Sequence, residues 1–349
     1  MAYSTIEDPS AYFQTALYTG NGSTQSITND GNSDLQPDWV WVKNRNDSYH
    51  NLVFDSSRGV NNRLATNLTI AEDTGAGYGT VSAFNSDGFS VTNGGNTGTN
   101  TLTYVAWQWK CNGGTTSTNT DGDINSTVQV NSDAGFSMVR YNPSNTTSRN
   151  IGHGLGKTPG VIIIRNRTRT ENWRMWHHSI GQGGAIMDND SAYNSSTSTL
   201  VNTVTSTYFN VGSDFSVNGN YPIIAWCWAE VQGYSKFGSY YGNSNTNGAF
   251  IYTGFKPGFI ILKQTSGSGN GWFAFDTKRD VSNTSVSRYL RVDETGAEGG
   301  ASKILDMYSN GFKIIHADNA TNGSGHRYLY MAFAESPFVT STGVPTTAL

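Results

Sequence analysis

Two short motifs with matching spacing hold the residues of this chain best suited to chemistry. Asp55-Ser-Ser-Arg58 and Asp276-Thr-Lys-Arg279 each place a carboxylate three positions before a guanidinium, and they begin 18 residues after Pro37 and 19 residues after Pro257. Such a pair could act as a catalytic or ligand-holding carboxylate with its counter-ion. Asp also accepts hydrogen bonds from backbone groups two residues on, which closes a turn. We interpret both aspartates as turn-closing residues.

The corresponding position after Pro159 holds adjacent histidines, His177 and His178, in place of the acid and the arginine. A histidine pair suggests a metal site or a general base. Neighbouring residues on a strand point to opposite faces, however, so these two cannot easily share one metal. The remaining histidines have no ligand-like spacing: His50, His153, His316 and His326. The sequence therefore predicts no metal site and no cofactor.

Two acidic loops resemble calcium-binding turns. Asp121-Gly-Asp123 lacks the glutamate that closes a helical calcium loop, and Asp188-Asn-Asp190 has no helix–loop–helix context. Either loop could hold Ca²⁺ weakly. A plain turn is the favoured interpretation of both.

Three tryptophans are the candidate ligand-contact residues. Trp173, Trp176 and Trp272 could stack on sugar rings, while Asn and Asp side chains of nearby loops bond to the sugar hydroxyls. Aromatic residues of a β-protein core have the same sequence pattern. Glycan contact and core packing therefore both stay open for these three residues, and core packing is favoured.

Motifs of the common enzyme classes are missing from the sequence. It has no Gly-x-Ser-x-Gly elbow, no phosphate-binding loop and no dinucleotide fingerprint. Glycoside hydrolysis needs two acidic groups that face each other across a bond. Acidic residues are sparse here and fall mostly in predicted turns, so the sequence predicts a protein that is not an enzyme.

Three landmarks recur in the same order, and they define the elements that must position these residues. The first is a proline followed by an apolar run and a basic residue: Leu35-Gln-Pro37-Asp-Trp39-Val-Trp41-Val-Lys43, Lys157-Thr-Pro159-Gly-Val161-Ile-Ile-Ile-Arg165 and Phe255-Lys-Pro257-Gly-Phe259-Ile-Ile-Leu-Lys263. The second is an aromatic residue after a turn: Ser86-Asp-Gly88-Phe89-Ser-Val91, Ser213-Asp214-Phe215-Ser-Val217 and Ser309-Asn-Gly311-Phe312-Lys-Ile314. The third closes each unit: Tyr104-Val-Ala106-Trp107-Gln-Trp109, Ile223-Ile-Ala225-Trp226-Cys-Trp228 and Tyr330-Met-Ala332-Phe333-Ala334-Glu335. The chain is therefore predicted to contain three copies of one domain.

The landmarks divide the chain into three repeats and an arm. Repeat 1 takes residues 1–110 with an N-terminal segment, residues 111–231 hold a linker and repeat 2, residues 232–335 form repeat 3, and residues 336–349 are a C-terminal arm. The Gly- and Thr-rich linker 111–123 suggests a hinge between repeats 1 and 2. A short connection suggests that repeats 2 and 3 pack rigidly. Units joined end to end would form an elongated rod.

Composition and strand patterns favour an all-β fold. The chain has 40 glycines among 349 residues and only 14% charged residues, as in turn-rich β proteins. Val161-Ile-Ile-Ile164 and Phe259-Ile-Ile-Leu262 are continuous apolar runs, typical of strands covered on both faces. A proline near the start of such a strand need not break a ladder hydrogen bond. We predict three tandem antiparallel β-sandwich repeats of jelly-roll-like form.

Charge, hydropathy and cysteine content exclude several partners. The formal net charge is −4 and no basic stripe is present, so nucleic acid is not an expected partner. No apolar run is long enough for a membrane span, and the first residues lack the pattern of a secretory signal. Cys111 and Cys227 are not at equivalent repeat positions, which favours free thiols. Synthesis in a cytoplasm without signal-directed secretion is the expected route.

The chain resembles a family of virion proteins from marine tailed phages, including phages of cyanobacteria. The resemblance rests on motifs distributed over nearly the whole chain: Tyr18-Thr-Gly-Asn-Gly22, Gly152-His-Gly-Leu155, Gly233-Tyr-Ser-Lys-Phe-Gly-Ser-Tyr240, Tyr252-Thr-Gly-Phe-Lys-Pro257, Ser309-Asn-Gly-Phe312, Tyr330-Met-Ala-Phe-Ala-Glu335 and Pro337-Phe-Val-Thr-Ser-Thr-Gly-Val-Pro345. It implies a location in the virion, with other virion proteins as partners. It transfers no catalytic residues.

The resemblance and the repeats together predict a tail-fibre or surface-appendage subunit that attaches to the host surface. We expect a homo-oligomer, with a trimer favoured, that is fixed to the particle by the segment before Ala11 or by the arm after Glu335. Loops of one repeat, most plausibly the third, would contact host surface glycan. A purely architectural capsid decoration or tail-collar protein is the first alternative, and a polysaccharide-degrading spike is the second.

Overall fold

The computed structural model describes residues 4–75, 77–143, 147–194, 198–266, 270–280, 285–300 and 302–346. Almost all regular structure in these ranges is antiparallel β-sheet. The exceptions are a 3₁₀ helix at Pro9–Ala11, capped by the Asp8 side chain, and the short helix α1 at Asn319–Asn322, capped by Asp318. The prediction of an all-β antiparallel sandwich fold is confirmed.

The strands fall into three groups, which we call lobes 1, 2 and 3. Lobe 1 contains β1 (Phe13–Thr19), β2 (Gln25–Ile27), β3 (Trp39–Asn44), β4 (Leu52–Asp55), β5 (Leu64–Ala65), β6 (Val81–Phe84), β7 (Phe89–Val91) and β8 (Thr103–Trp109). Lobe 2 contains β9 (Ser117–Asn119), β10 (Ser126–Asn131), β11 (Phe136–Tyr141), β12 (Arg149–Gly152), β13 (Val161–Asn166), β14 (Arg174–His177), β15 (Ala185–Ile186), β16 (Val201–Val204), β17 (Tyr208–Val211) and β18 (Ile223–Trp228). Lobe 3 contains β19 (Ser235–Tyr241), β20 (Phe250–Tyr252), β21 (Phe255–Gln264), β22 (Trp272–Asp276), β23 (Ser285–Val286), β24 (Leu290–Arg291), β25 (Leu305–Tyr308), β26 (Gly311–Ile314) and β27 (Arg327–Pro337).

Each lobe pairs a large sheet with a small one. The large sheets have the orders β1-β8-β3-β4-β5, β9-β10-β11-β18-β13-β14-β15 and β19-β27-β21-β22-β24. The small sheets have the orders β2-β7-β6, β12-β17-β16 and β20-β26-β25-β23. The last strand of each lobe (β8, β18 or β27) lies between an earlier strand (β1, β11 or β19) and the strand that holds the apolar run of the first landmark (β3, β13 or β21). Between the two sheets of each lobe lies a separate apolar core.

A fourth core joins the lobes. The outer faces of the three large sheets turn toward one another and bury a continuous cluster that contains Trp39 and Trp109 of lobe 1, Trp228 of lobe 2, and Phe259 and Phe333 of lobe 3. Trp39 and Trp228 rings lie 5.3 Å apart, and Trp109 and Phe333 rings also lie 5.3 Å apart. The lobes therefore surround a common core. The expected end-to-end rod and the expected hinge between repeats 1 and 2 are both wrong.

Strand pairing corrects two of the landmark alignments. Phe89 and Phe312 face Ile27 and Ile251 across their small sheets, and the lobe 2 residue in that role is Phe209, which faces Ile151. Phe215, placed there by the sequence pattern, is 45% exposed and lies in a turn.

The closing landmark of lobe 3 is shifted by two residues. Trp109 faces Trp39, and Trp228 faces Val161. The residue that faces Phe259 in the same register is Phe333. Phe333 therefore corresponds to Trp109 and Trp228, a position that the sequence pattern assigned to Glu335.

The ends of the chain pack against the lobes. Ile6 contributes to the shared core, and β27 continues to Pro337, inside the segment predicted as an arm. Beyond it, a bridge between Val339 and Pro345 folds residues 338–346 back on themselves, while residues 347–349 lie outside the described ranges. Cys111 and Cys227 are buried free thiols, as predicted.

Candidate functional site

The two Asp–Arg motifs lie at junctions between lobes. Arg58 donates from Nε to Asp55 at 2.5 Å and from its backbone N–H to the same carboxylate at 2.9 Å. Arg279 makes the same two bonds to Asp276, at 2.6 and 2.9 Å. All four side chains are buried. The turn-closing interpretation is confirmed, with the bonded backbone N–H three residues on rather than two.

Each buried arginine also contacts the next lobe. The Arg58 guanidinium lies 5.8 Å from the ring centre of Trp226 in lobe 2. The Arg279 guanidinium lies 5.6 Å from the ring of Trp107 in lobe 1, whose Nε1–H donates to Asp276 at 2.9 Å. Cation–π contacts of this kind are strengthened when the cation is desolvated. The motifs therefore join lobe 1 to lobe 2 and lobe 3 to lobe 1.

A second carboxylate extends each of these two pairs into a network. Glu72 accepts from Arg58 at 2.8 Å and from Arg167 of lobe 2 at 2.6 Å. In the same way Glu298 accepts from Arg279 at 3.4 Å and from Arg45 of lobe 1 at 2.8 Å. Burial alone would raise the pKa of each glutamate, but the surrounding arginines hold both pKa values below their usual range. Both carboxylates therefore stay ionised at neutral pH.

His177 takes the equivalent place between lobes 2 and 3. It is 1% exposed, and its Nε2 lies 3.1 Å from the Tyr330 carbonyl oxygen of lobe 3. Its Nδ1 accepts the Ser179 backbone N–H at 3.2 Å, so the single proton of the neutral ring sits on Nε2. Burial lowers the pKa of His177 to about 3, although the Tyr330 carbonyl opposes the shift. The histidine thus acts as a neutral hydrogen-bond donor at this junction.

The predicted glycan-contact tryptophans are inside the protein. Trp173 is 0% exposed and donates from Nε1 to the Ala65 carbonyl of lobe 1 at 2.9 Å. Trp272 is 1% exposed and donates to the Ile186 carbonyl of lobe 2 at 2.9 Å. Trp176 lies in the sandwich core of lobe 2. None of these rings is available to stack on a sugar in solvent, so glycan contact is wrong for them and core packing is correct.

Hydrogen bonds from a side chain to a backbone carbonyl of another lobe, like those of Trp173 and Trp272, are found at all three junctions. Asn51 holds the lobe 1 position that corresponds to Trp173 and Trp272, and it donates to the Glu294 carbonyl of lobe 3 at 2.8 Å. Together with the Asp–Arg and His177 contacts, they connect lobe 1 with 2, lobe 2 with 3 and lobe 3 with 1. We refer to this closed set of contacts as the ring.

The basic residue of the first landmark belongs to the ring as well. Lys43 donates to the Thr295 carbonyl of lobe 3 at 2.7 Å, and Arg165 donates to the Thr69 carbonyl of lobe 1 at 2.6 Å. Burial lowers the pKa of Lys43 to about 7, that of Lys263 to about 8 and that of Arg165 to about 10. Lys263 donates to the Asn270 carbonyl of its own lobe at 2.9 Å. The sequence showed that this residue repeats, but the partners of Lys43 and Arg165 in other lobes are distant in sequence and could not be inferred.

A groove lies open at the junction of lobes 3 and 1. It has a volume of about 410 Å³, and two ion pairs flank it: Lys256–Glu335 at 3.0 Å and Lys278–Asp30 at 2.9 Å. Thr15 of β1 lines it and is 6% exposed, yet its hydroxyl has no hydrogen-bond partner in the described part of the chain. An unsatisfied buried polar group costs about 1–3 kcal/mol. Lys256, Lys278 and Glu335 stand in motifs found in the sequence, but the sequence did not predict that they line a groove.

The small sheet of lobe 3 carries aromatic residues on its outer face. Phe250 and Tyr252 of the edge strand β20 are 48% and 55% exposed, and the Phe250 ring lies 5.8 Å from that of Tyr308. The corresponding faces of lobes 1 and 2 carry small polar pairs, Ser26–Ser90 at 3.0 Å and Asn150–Asn210 at 2.8 Å. Lobe 3 is therefore distinct in the outer face of its small sheet.

The acidic loops have structural contacts. Asp121 accepts from the Asn119 side chain at 2.8 Å, and Asp188 accepts the Trp173 backbone N–H at 2.7 Å. Within the described ranges, no group of three or more His, Cys, Asp or Glu side chains is placed to hold a metal ion. The same ranges contain no helix that is long and apolar enough to cross a bilayer.

A family model described as a domain of unknown function, DUF7483, matches residues 8–337. The chain belongs to this family. The matched range includes all three lobes, so the family model corresponds to the three lobes together and not to a single lobe. No curated protein and no solved structure matches the chain.

Proposed function

We propose that the protein is a non-enzymatic virion component of a tailed phage, a tail-fibre or surface-appendage subunit with a role in host attachment. The motifs shared with virion proteins of marine phages motivate the virion setting. The observation that carries the non-enzymatic part is the ring. The residues of the sequence that are best suited to catalysis are buried and hydrogen-bonded within it. Asp55, Asp276 and His177 all have side chains engaged in junction contacts.

An architectural role agrees with how these groups are held. A catalytic carboxylate or imidazole needs access to substrate and a pKa suited to proton transfer near the working pH. His177 is enclosed, and burial lowers its pKa to about 3. Asp55 and Asp276 are fully buried against arginines. Such groups support a fixed arrangement of lobes.

The attachment role is supported by a difference between the outer faces of the three small sheets. Exposed Phe250 and Tyr252 are on lobe 3, while lobes 1 and 2 present serine and asparagine at the same sheet. A contiguous group of exposed aromatic residues can mark a contact surface. The alternative, a capsid decoration or tail-collar protein without a receptor, is favoured by the ring alone and predicts no binding to host surface polysaccharide.

Oligomer formation with copies of itself and with other virion proteins is part of the proposal. The trimer favoured by the sequence stays a prediction, and the ring gives a reason to test it, since one chain already brings three lobes together. Light scattering coupled to size exclusion would give about three times 37.8 kDa for a trimer.

Purified particles provide the test of the virion assignment. We expect the protein among the structural proteins detected by mass spectrometry of density-purified phage, and antibody labelling at a tail appendage. Labelling over the capsid would favour the decoration alternative. Absence from purified particles of a phage that expresses it during infection would contradict the proposal.

A further inference from the structure

The equivalent strands β1, β11 and β19 differ in what lies on the side away from the last strand of their lobe. Thr15, Met138 and Phe237 hold the same register position on these three strands, opposite the last strand. In lobe 2 the other side of β11 is paired with β10. In the described part of the chain, β1 and β19 are the end strands of their sheets. An end strand presents backbone N–H and C=O groups to which a further strand can bond.

Thr15 directs its backbone groups toward the open side of β1. Lys110 donates its backbone N–H to the Tyr12 carbonyl at 2.9 Å, so the even-numbered residues of this strand bond to β8. Because bonding alternates along an antiparallel pair, the odd-numbered residues Phe13, Thr15 and Leu17 turn their backbone groups away from β8. Within the described residues, no further strand pairs with β1 on that side.

Side chains close the corresponding edge in lobe 3. The Phe237 N–H donates to the Glu230 carboxylate at 2.9 Å, and the Phe237 carbonyl oxygen lies 3.0 Å from Nε2 of His178. The Phe237 ring also covers Gly160, where an added Cβ would lie 2.8 Å from that ring. Charged side chains that turn inward at an edge prevent a further strand from pairing there. The backbone of Thr15 has no such closure among the described residues.

Lobe 2 shows what can occupy the open edge. Gln129 of β10 faces Met138, and the alternation of bonds along β11 directs the backbone of Met138 toward β10, so these two residues exchange their backbone bonds. The Gln129 side chain donates from Nε2 to the hydroxyls of Ser56 and Ser57 in lobe 1, at 3.0 and 3.1 Å. The added strand therefore extends its own sheet and also bonds across the junction to the neighbouring lobe.

The groove between lobes 3 and 1 has the corresponding walls without the strand. Thr277 and Lys278 hold the turn positions of Ser56 and Ser57, and both line the groove together with Thr15. Its volume of about 410 Å³ suits a short extended segment and is too small for a folded domain. The groove is therefore the place that β10 occupies at the junction of lobes 1 and 2.

The charges of the groove indicate the chemistry of the segment. Lys278 pairs with Asp30 across the two lobes at 2.9 Å, and because both side chains are exposed this pair contributes little stability and can be displaced. Lys256 is also paired, with Glu335, so neither ammonium group is left to attract an acidic segment. The strand that serves as the template, Ser126–Asn131, is uncharged.

We infer that β1 binds an uncharged, extended segment of another protein, which enters the groove as a further strand of the large sheet of lobe 1. The residue opposite Thr15 carries a carboxamide that reaches Thr277, as Gln129 reaches Ser56. The biological meaning rests on the proposed function, in which a neighbouring virion protein supplies the segment. Strand addition is a property of the isolated chain, so its failure is distinguishable from absence of the protein from particles.

A peptide that copies Ser126–Asn131 is the probe, with fluorescein at its N-terminus and an amide at its C-terminus. Fluorescence anisotropy with the full chain should show saturable binding. N-methylation of the glutamine removes the N–H that bonds to Thr15 and should weaken binding about tenfold, as for one lost hydrogen bond. N-methylation of the valine that follows it is the matched control, because that N–H points away from β1, and this peptide should bind as the parent does.

Two variants of the protein test the location. Thr15→Phe copies the lobe 3 residue, whose ring would cover Gly258 as Phe237 covers Gly160, and should abolish binding. Thr15→Met copies the lobe 2 residue, beside which a strand is bound, and should still bind. Thermal unfolding should show that both are folded, and the pair of methylated peptides keeps the test intact if one is not.

Three results would overturn the inference. The first is no saturable binding of the parent peptide, and the second is equal affinity of the two methylated peptides. The third is self-association of the chain, seen by light scattering, that the peptide reverses, because the segment would then come from a second copy and not from another protein.

Discussion

The junction of lobes 1 and 2 and the junction of lobes 2 and 3 both bury polar side chains at equivalent positions. These side chains are charged at the first junction and neutral at the second. The first buries a network of Asp55, Arg58, Glu72 and Arg167. The second uses neutral His177 and a backbone bond between Tyr193 and Thr265, where the first has one between Glu72 and Arg167. In both junctions the side chains named here have hydrogen-bond partners, and charge is only one way to provide them.

The difference has a thermodynamic meaning. A buried ion pair gives little net stability over a well-packed neutral contact, but it is costly to break because one charge stays buried without its partner. A neutral imidazole carries no such risk at neutral pH. The two junctions should therefore respond differently to mutation and to acid.

The largest effect is expected from breaking the charged junction. Arg58→Met leaves the buried Asp55 and Glu72 carboxylates without their shared cation and should lower the free energy of unfolding by about 3–5 kcal/mol. Urea unfolding monitored by tryptophan fluorescence measures the change. Lys278→Met is the matched control, because the Lys278–Asp30 pair is exposed and should contribute no more than about 1 kcal/mol. Equal losses in the two variants would contradict this reading of the junction.

The neutral junction should fail first in acid. The pKa of His177 is about 3 in the folded protein and near 6.5 when the chain is unfolded, so only the unfolded state takes up this proton between those values. Stability from this group is therefore complete above pH 6.5 and decreases as the pH falls. The expected loss at pH 5 is about 2 kcal/mol, from 1.36 kcal/mol per pKa unit.

His177→Gln tests this pH dependence because the amide can still donate to the Tyr330 carbonyl but does not titrate. The difference in unfolding free energy between variant and wild type should shift by about 2 kcal/mol in favour of the variant between pH 7 and pH 5. The neighbouring side chains His178 and Arg327 are the same in the variant and the wild type. A constant difference over this range would show that His177 does not control the junction.

A smaller loss of stability should come from changing Tyr193, which holds at the junction of lobes 2 and 3 the position that Glu72 holds at the junction of lobes 1 and 2. Tyr193 donates its hydroxyl to the Gly181 carbonyl at 3.0 Å. Tyr193→Phe should lower the free energy of unfolding by about 0.5–1.5 kcal/mol, as for one hydrogen bond between uncharged groups. Glu72→Gln, measured alongside by urea unfolding, should cost more because it removes a charge from the arginine network. The reverse order would argue against the contrast between the junctions.

The sequence predicted the strands well where the signal is local. The apolar runs after Pro159 and Pro257 are fully buried central strands, since both their faces are covered. The aspartates that close turns were also predictable, because their partners lie three residues away. Both features depend on neighbours along the chain.

The prediction was wrong where a motif in a turn has the same sequence pattern as the motif that precedes a buried strand. Ser213-Asp214-Phe215-Ser-Val217 matches the second landmark, but Asp214 accepts the Ser216 backbone N–H and turns the chain, so Phe215 is left partly exposed. The buried equivalent, Phe209, follows no Ser-Asp-Gly turn. Pattern matching therefore selected the wrong phenylalanine.

The ring itself could not be derived from one sequence. Trp173 bonds to the Ala65 carbonyl and Trp107 to the Asp276 carboxylate, across large separations in sequence. An aromatic residue that is covered by another lobe has the same local pattern as one that faces solvent. The groove was missed for the same reason, since its lining residues come from lobes 1 and 3, which are distant in sequence.

Small-angle X-ray scattering of the full chain tests closure of the ring most directly, under dilute conditions in which the forward scattering corresponds to one chain. Three lobes around a shared core predict a radius of gyration of about 20 Å, the value for a compact protein of this length. The pair-distance distribution should have one near-symmetric maximum. A clearly larger radius, with a distribution that has a long tail or several maxima, would mean that the lobes are arranged end to end and would contradict the ring.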